Sequence, residues 1–357
     1  MLSALFVWGT ERTGLFKDDT AYYGRLAENL ADPARLPYTF RLLTPWLVSL
    51  MPLETASAFS VVTLVSLWVT TLMLNLLLQR LGCGSRARWG ALTVFLFSAV
   101  VVRMLTTPTY VDPLTYALTV TSLLALLAQR DVAFCVLITL SVLNRETAII
   151  LLPAYFVARW PFRDAAAAVR SALVCAVPCL VLASVVLGKL AVLGLLSDGL
   201  AGLISLRYGG YVQRVPRLGD LLDLYSLFGV AWIALLLGWR WAPRWLQVYG
   251  ALIVAQLLVS RGDESRNLSH LFPLVIPLVG ILLERLASSG RAMMVAFVLC
   301  AVASMVHFRW IWIPIDLARY ALVGAGTLAG LALVFWSWRS YRHPVNGIAE
   351  AGVSSGA

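Results

Sequence analysis

Long runs of apolar residues, separated by short polar connectors, recur from Thr55 almost to the end of the chain. Uninterrupted apolar runs with few charges predict membrane-spanning helices. Nine runs are long enough to be interpreted as full spans, at residues 55–79, 89–104, 113–128, 166–187, 221–239, 245–260, 268–283, 292–308 and 317–338. The pattern therefore predicts an all-α, polytopic transmembrane helical bundle.

Two shorter apolar runs, 132–143 and 147–158, are separated by the polar triplet Asn144, Arg145 and Glu146. Each run has 12 residues. At about 1.5 Å per residue, such a helix reaches roughly 18 Å, well short of a hydrocarbon core of about 30 Å. We therefore expect a short helical pair whose polar tip lies inside the membrane, giving about 11–12 membrane helices in all.

The composition excludes an ordinary soluble protein, because 60% of the residues are hydrophobic and only 13% are charged. The net charge of +10 could indicate a nucleic-acid partner, but the positions of the charges do not support one. Arginines such as Arg80, Arg86 and Arg88 stand in short connectors, and no basic stripe with interleaved aromatic residues occurs. That distribution is typical of cytoplasmic loops, so nucleic acid is excluded as a partner, and membrane lipids are expected instead.

Threading the spans alternately through the membrane places the carboxy terminus in the cytoplasm and 14 of the 18 carboxylates on the outer side. The short cytoplasmic connectors are then rich in arginine and nearly free of acids, as the positive-inside rule requires. We expect a multi-pass protein of a bacterial-type cytoplasmic membrane. One membrane domain would span residues 1–343, with helical outer loops at 11–54 and 189–220 and a disordered cytoplasmic tail at 344–357. The asymmetry of the acids points to chemistry on the outer face.

The first outer segment contains adjacent acids, Asp18 and Asp19, at the start of a helical stripe formed by Tyr22, Leu26 and Leu30. One acid can serve as the helix N-cap, and the other is favoured by the helix dipole. Helix capping accounts for the presence of one acid at this position more readily than for two adjacent acids.

Residues 18–23 read Asp-Asp-Thr-Ala-Tyr-Tyr, and residues 40–45 read Phe-Arg-Leu-Leu-Thr-Pro. Followed by a chain of spans with short cytoplasmic loops, these motifs resemble integral-membrane glycosyltransferases of the GT-C fold that use polyprenyl-phosphate sugars. The resemblance implies that Asp18 or Asp19 acts as the base, or that the pair binds a divalent cation. It also implies a second acid in the next outer loop, here Asp112. The expected partners are a polyprenyl-phosphate sugar donor and a glycan, lipid or protein acceptor.

A phosphate leaving group needs cationic donors, preferably arginine, whose planar fork engages two phosphate oxygens at once. The outer and intramembrane candidates are Arg41, Arg145, Arg207, Arg261 and Arg266, with His270 as a further hydrogen-bond donor. An arginine at membrane depth is by default a functional hypothesis.

Each candidate also has a structural interpretation. Arg145 can form an internal ion pair with a buried acid, although its neighbour Glu146 would be a poor partner on a continuous helix. Arg261 and Arg266 can pair with acids in a solvated turn. The side chain of Arg41 can snorkel to the membrane surface, and His270 can simply be interfacial. Tyr22 and Tyr23 can stack on a sugar ring or act as interfacial anchors, as aromatic residues at membrane edges commonly do.

Two other functions compete with glycosyl transfer. A transporter or flippase of lipid-linked glycans also needs polar residues at membrane depth, but it usually shows broken helices at matching positions in its two halves. The sequence offers one short pair, near Arg145. An oligosaccharide polymerase would carry arginines and a histidine in a large outer loop, and residues 189–220 contain arginines but no histidine.

Overall fold

The structure is a computed structural model that describes residues 19–32, 38–192, 224–259, 264–305 and 316–340. Throughout these ranges the regular secondary structure is helical, which confirms the predicted all-α class. The α-helices are α1 (Asp19–Glu28), α2 (Leu43–Ser49), α3 (Thr55–Arg80), α4 (Ser85–Phe97), α5 (Ala99–Thr106), α6 (Asp112–Leu127), α7 (Asp131–Asn144), α8 (Leu151–Arg159), α9 (Ala165–Val192), α10 (Trp232–Gly238), α11 (Arg244–Val259), α12 (Glu264–Ser269), α13 (Phe272–Ser289), α14 (Arg291–Ser304) and α15 (Asp316–Ser340). Short 3-10 helices occur at Tyr38–Phe40, Glu146–Ile150, Gly229–Ala231 and Trp239–Trp241.

Four of the described helices are long and apolar enough to cross a membrane, so the chain is a multi-pass membrane protein. They are α3, α9, α13 and the segment Tyr320–Ser337 of α15. Helices α4 and α5 together would make a fifth span, bent by 44°. The spans predicted at 113–128 and 292–308 form shorter apolar helices, α6 and α14. The total of about 11–12 membrane helices stays a prediction.

Two predicted spans differ from the helices that form. The span predicted at 221–239 is not one helix, because Gly229 adopts a left-handed φ of 52° and a 3-10 helix at Gly229–Ala231 precedes α10. A Cβ atom on Gly229 would lie 2.8 Å from Cγ of Met305, so only glycine fits this close approach. The span predicted at 268–283 begins at Phe272 and continues to Ser289 as α13, with a proline in its first turn, a position that proline favours.

The described chain forms two compact units, which we treat separately although the sequence predicts one membrane domain. The first unit comprises residues 1–73, 104–214 and 258–262. In it α6 packs on α7, α7 packs on α9, and α1 packs on α2. Its apolar core includes Tyr23, Leu26, Val48, Phe59 and Val111.

The short helical pair is present in the first unit, as α7 followed by a 3-10 helix and α8. The two ends of the pair are joined by an ion pair between Arg159 and Asp131. Inside the pair, the rings of Phe134 and Tyr155 stack with their centroids 4.6 Å apart. The second half differs from the prediction because its first four residues belong to the 3-10 helix Glu146–Ile150.

The second unit comprises residues 74–103, 215–257 and 263–357 and is built around the buried helix α13. This helix packs against α4, α10 and α14. Glu284 on α13 accepts a hydrogen bond from the Gly84 N–H in the connector that precedes α4. In the same connector, burial raises the pKa of Cys83 to about 12, and the nearby charge of Glu284 adds to the increase. Cys83 is therefore a neutral thiol at physiological pH.

Helices α14 and α15 of the second unit pack backbone to backbone. A Cβ atom on Gly326 would lie 2.9 Å from the Cys300 carbonyl oxygen and 3.0 Å from the Ser304 nitrogen. Small residues permit such close approach, which supplies van der Waals contact between helices in a membrane. Gly324, two residues earlier, has no atom within 4 Å of the same position.

We expect Gly326→Ala to destabilise the protein by about 1–3 kcal/mol, because the added methyl group meets backbone atoms of α14 that cannot move independently. Gly324→Ala is the matched control on the same helix, and it should be neutral or stabilising by up to about 1 kcal/mol. Thermal unfolding of both variants in detergent is the measurement. Equal midpoints for the two variants would contradict this account of the packing.

Candidate functional site

The carboxyl end of α7 is held by the side chain of Asn144, which is fully buried. Its Oδ1 atom accepts hydrogen bonds from the Thr44 N–H at 3.1 Å and the Thr44 hydroxyl at 2.6 Å. Its Nδ2 atom donates to the Val111 carbonyl at 2.7 Å and to the Thr115 hydroxyl at 2.8 Å. Because the amide uses both donors and accepts two bonds, it joins three chain segments with its full hydrogen-bonding capacity.

The backbone next to Asn144 reinforces this junction and then changes direction. The Leu42 N–H donates to the Leu143 carbonyl at 2.9 Å. Arg145 follows with an extended conformation, φ −155° and ψ 121°, which ends α7 before the 3-10 helix begins at Glu146. The neighbouring side chains Arg145 and Glu146, at this interruption, reach different partners.

Arg145 forms an ion pair with Asp112, the first residue of α6. Both side chains are buried, with 3% of Arg145 and 0% of Asp112 exposed. A carboxylate at this position is also favoured by the amino-terminal end of the helix dipole. Two predicted site residues therefore meet, and the buried acid that the structural interpretation of Arg145 requires is Asp112.

Glu146 pairs with Arg41, which precedes α2. The Arg41 Nε and Nη2 atoms donate to the two carboxylate oxygens of Glu146 at 3.0 Å and 2.9 Å. The Arg41 Nη1 atom donates to the Tyr23 hydroxyl at 2.7 Å, and the guanidinium carbon lies 5.5 Å from the centre of the Tyr38 ring. Arg41 is only 5% exposed, so its side chain turns into the first unit and does not snorkel to a surface.

Glu146 is a member of this cluster that the sequence reasoning did not select. On a continuous helix Glu146 is only a poor partner for Arg145. The signal that marks it is an acid at the tip of a helical pair too short to cross the membrane, since ionisable residues at membrane depth are costly and usually functional.

An aromatic row extends from Arg41 along α1. The Tyr38 and Tyr22 rings are parallel within 3°, with centroids 5.1 Å apart, and the Tyr23 ring meets Tyr38 edge-on at 5.6 Å. The Arg25 guanidinium lies 5.0 Å from the centre of the Tyr22 ring. Tyr23 is fully buried, whereas Tyr22 is partly exposed, so of the two predicted sugar-stacking residues Tyr22 is the one with an open surface.

Of the predicted acid pair, Asp19 lies among the described residues. Asp19 is the first residue of α1, one helical turn before Tyr23, while Asp18, Arg207 and Arg261 lie outside the described residues. No group of three or more potential metal ligands occurs in the described part of the chain. A divalent cation at Asp18 and Asp19 stays a prediction.

Arg266 and His270 belong to the second unit, in α12 and the turn after it. They are 2% and 5% exposed, so Arg266 is not in the solvated turn that its structural interpretation assumed. The Arg266 carbonyl accepts a hydrogen bond from the Ser269 hydroxyl at 2.5 Å. The Tyr249 hydroxyl donates to the His270 carbonyl at 2.6 Å. These contacts hold the turn between α12 and α13.

Comparison with known proteins gives no family model, curated protein or solved structure that matches this chain. The function must therefore be argued from the residues of the site.

We expect Asn144→Ala to lower the free energy of unfolding by about 2–5 kcal/mol, because buried partners at Thr44, Val111 and Thr115 lose their hydrogen bonds. Asn29→Ala is the control, since the Asn29 side chain is exposed and accepts one hydrogen bond, from the Ala31 N–H. Thermal unfolding in detergent should separate the variants clearly. If Asn144→Ala lowers the stability no more than Asn29→Ala does, the junction does not depend on the Asn144 amide.

Proposed function

We propose that this chain is an integral-membrane glycosyltransferase that moves a sugar from a polyprenyl-phosphate donor to an acceptor hydroxyl, with inversion at the anomeric carbon. The observation that carries the proposal is the cluster at the end of α7, where Arg41 and Arg145 are buried beside Glu146 and Asp112. Apolar bundles do not need buried arginines for stability, and such groups at membrane depth usually serve a ligand or substrate.

The arginines suit a lipid phosphate in particular. A guanidinium presents donors in a rigid fork that matches two oxygens of a phosphate, and it remains charged in an apolar environment better than lysine does. Arg41 already presents this fork to the carboxylate of Glu146 at 2.9 and 3.0 Å. A phosphate presents a similar pair of oxygens, and this similarity supports a polyprenyl phosphate as the ligand of the fork.

The reaction needs one base and no acid. A carboxylate, Asp18 or Asp19, takes the proton of the acceptor hydroxyl as its oxygen bonds to the anomeric carbon. The bond between that carbon and the phosphate oxygen breaks, and polyprenyl phosphate leaves with the electron pair. Arginine stabilises the charge that develops on the phosphate. Asp19 begins the helix that carries Tyr23, whose hydroxyl contacts Arg41, so the proposed base and the proposed phosphate ligand are carried by adjoining segments.

A flippase or transporter of lipid-linked glycans is the second candidate, and one observation favours it. Helices α4 and α5 are bent by 44° where Ser98 interrupts them, which adds a second broken helix to the break between α7 and α8. Broken helices near membrane depth are typical of transporters. A flippase would use the same phosphate-binding arginines but would have no need of a base.

We further propose that the site faces the extracytoplasmic side of a bacterial-type cytoplasmic membrane. The support is the charge distribution, with arginine-rich, acid-poor short connectors on the opposite side. A carboxy-terminal fusion tests it. Green fluorescent protein attached after Ala357 should fluoresce, and alkaline phosphatase at the same point should be inactive. The reverse pair of results would invert the orientation and place the site in the cytoplasm.

The transfer reaction itself is tested with purified protein in lipid nanodiscs, a panel of polyprenyl-phosphate sugars and an extract of membrane glycans as acceptors. Asp18→Asn and Asp19→Asn keep the shape of the side chain and remove the base, so turnover of one variant should fall by roughly a hundredfold or more. Binding of the lipid donor should survive in both. Asp32→Asn, in the same outer segment, is the matched control and should retain activity.

Undiminished transfer in both variants would remove the aspartate pair from the mechanism. If no donor supports transfer, while fluorescent lipid-linked sugar is moved between the leaflets of a vesicle, the flippase becomes the favoured function.

A further inference from the structure

The two ion pairs of the cluster differ in their access to the surroundings. The Arg145–Asp112 pair is sealed, with 3% and 0% of the two side chains exposed, whereas 15% of Glu146 is exposed beside Arg41. Glu146 also stands at the start of a 3-10 helix, directly after the extended residue Arg145, where the backbone turns. Of the two paired acids, Glu146 is the one that is partly exposed, so its pair with Arg41 is the one accessible to an exchange of anions.

Arg41 is held in position by contacts other than Glu146. Its Nη1 atom donates to the Tyr23 hydroxyl, and its guanidinium lies near the Tyr38 ring. Its backbone N–H donates to the Tyr38 carbonyl at 3.0 Å. The next residue, Leu42, is joined to Leu143 through the backbone. A guanidinium fixed in this way keeps its orientation when its counter-ion changes.

A carboxylate and a phosphate compete for the same face of an arginine fork. With Glu146 in place the pair is neutral, which is the state that burial favours. If a phosphate bound while Glu146 stayed, two anions would lie within a few ångströms of each other at low dielectric, which is strongly unfavourable. Exchange of one anion for the other keeps the site near neutrality throughout.

We infer that Glu146 is an exchangeable counter-ion for Arg41, displaced by the phosphate of a polyprenyl-phosphate lipid when it binds and returning when the lipid leaves. This inference rests on the proposed function for the identity of the ligand. Glu146 is thus a positioning residue that sets the affinity for lipid phosphate: it keeps the empty site ordered and weakens the binding of the anion that replaces it.

The test is the binding of decaprenyl phosphate to protein in nanodiscs, followed by quenching of intrinsic tryptophan fluorescence. Glu146→Gln keeps the length of the side chain and removes its charge, so the Kd should fall about tenfold, since the competing anion is gone. The melting temperature without lipid should fall at the same time, because Arg41 loses its counter-ion. A residue with a merely structural role would lower the melting temperature without tightening lipid binding.

Two controls isolate the charge at this position. Glu146→Asp retains the charge and should not tighten binding. Asp131→Asn removes an acid from the Arg159–Asp131 pair in the same unit, whose side chains are 16% and 17% exposed, and it should leave the Kd unchanged. Inorganic phosphate in place of decaprenyl phosphate distinguishes a site for lipid phosphate from a site for free phosphate. A lower Kd of Glu146→Gln for both ligands would identify a site for free phosphate.

An unchanged or weaker affinity of folded Glu146→Gln for decaprenyl phosphate overturns the inference. Glu146→Ser repeats the test with a smaller uncharged side chain, and failure of both variants to fold would make Glu146 a structural requirement, which also overturns it. The proposed function fails separately. Tighter lipid binding by Glu146→Gln, in a protein that transfers no sugar, supports the exchange and rejects the transferase. Sugar transfer without tighter lipid binding supports the transferase and rejects the exchange.

Discussion

Arg41 and Arg145 lie buried in a mainly apolar unit, and a charge in such surroundings is tolerated only beside an opposite charge. Each arginine therefore needs its own acid, and the two acids arrive from different places, Glu146 from the tip of the short pair and Asp112 from the start of α6. Adjacent side chains diverge even on a continuous helix, so the divergence alone does not require a break. The break itself lies at Arg145, whose extended backbone separates the end of α7 from the 3-10 helix that begins at Glu146.

The break leaves carbonyl groups at the end of α7 without helical partners, and one of them, the Leu143 carbonyl, accepts a hydrogen bond from the Leu42 N–H. The amide of Asn144 receives the Thr44 N–H and holds the Val111 carbonyl, so the segment with Arg41 and the segment with Asp112 are joined to the same residue. The two ion pairs and the amide are therefore mechanically linked. This linkage preorganises the donors toward an anion, and preorganisation is what makes electrostatic stabilisation effective in an apolar site.

The sequence predicts the break itself, because a polar triplet between two apolar runs of twelve residues has no other place in a membrane bundle. It does not predict which residues form ion pairs with Arg145 and Glu146. The rule that adjacent residues diverge on a helix makes Glu146 a poor partner for Arg145, but it does not identify Arg41 as the partner of Glu146, because these two residues are 105 positions apart and meet only in the tertiary structure. The same limit applies to Gly229, where a run of apolar residues predicts a span. The left-handed φ that divides it arises from close packing against Ser304 and Met305.

A site that must admit an anionic lipid from an apolar phase faces two opposing demands. When no lipid is bound, the site must be neutral, since uncompensated arginines would be costly to bury. Occupied, it must offer those arginines to a phosphate without retaining the acids that neutralised them. With the proposed exchange, one sealed pair and one partly open pair would meet both demands, because Arg145 and Asp112 would maintain the geometry while Arg41 changed its partner. A transferase and a flippase share this requirement, and only a transferase also needs a base near the bound phosphate. Substitution of Asp18 and Asp19 therefore distinguishes the two proposed functions, whereas the arginines suit either.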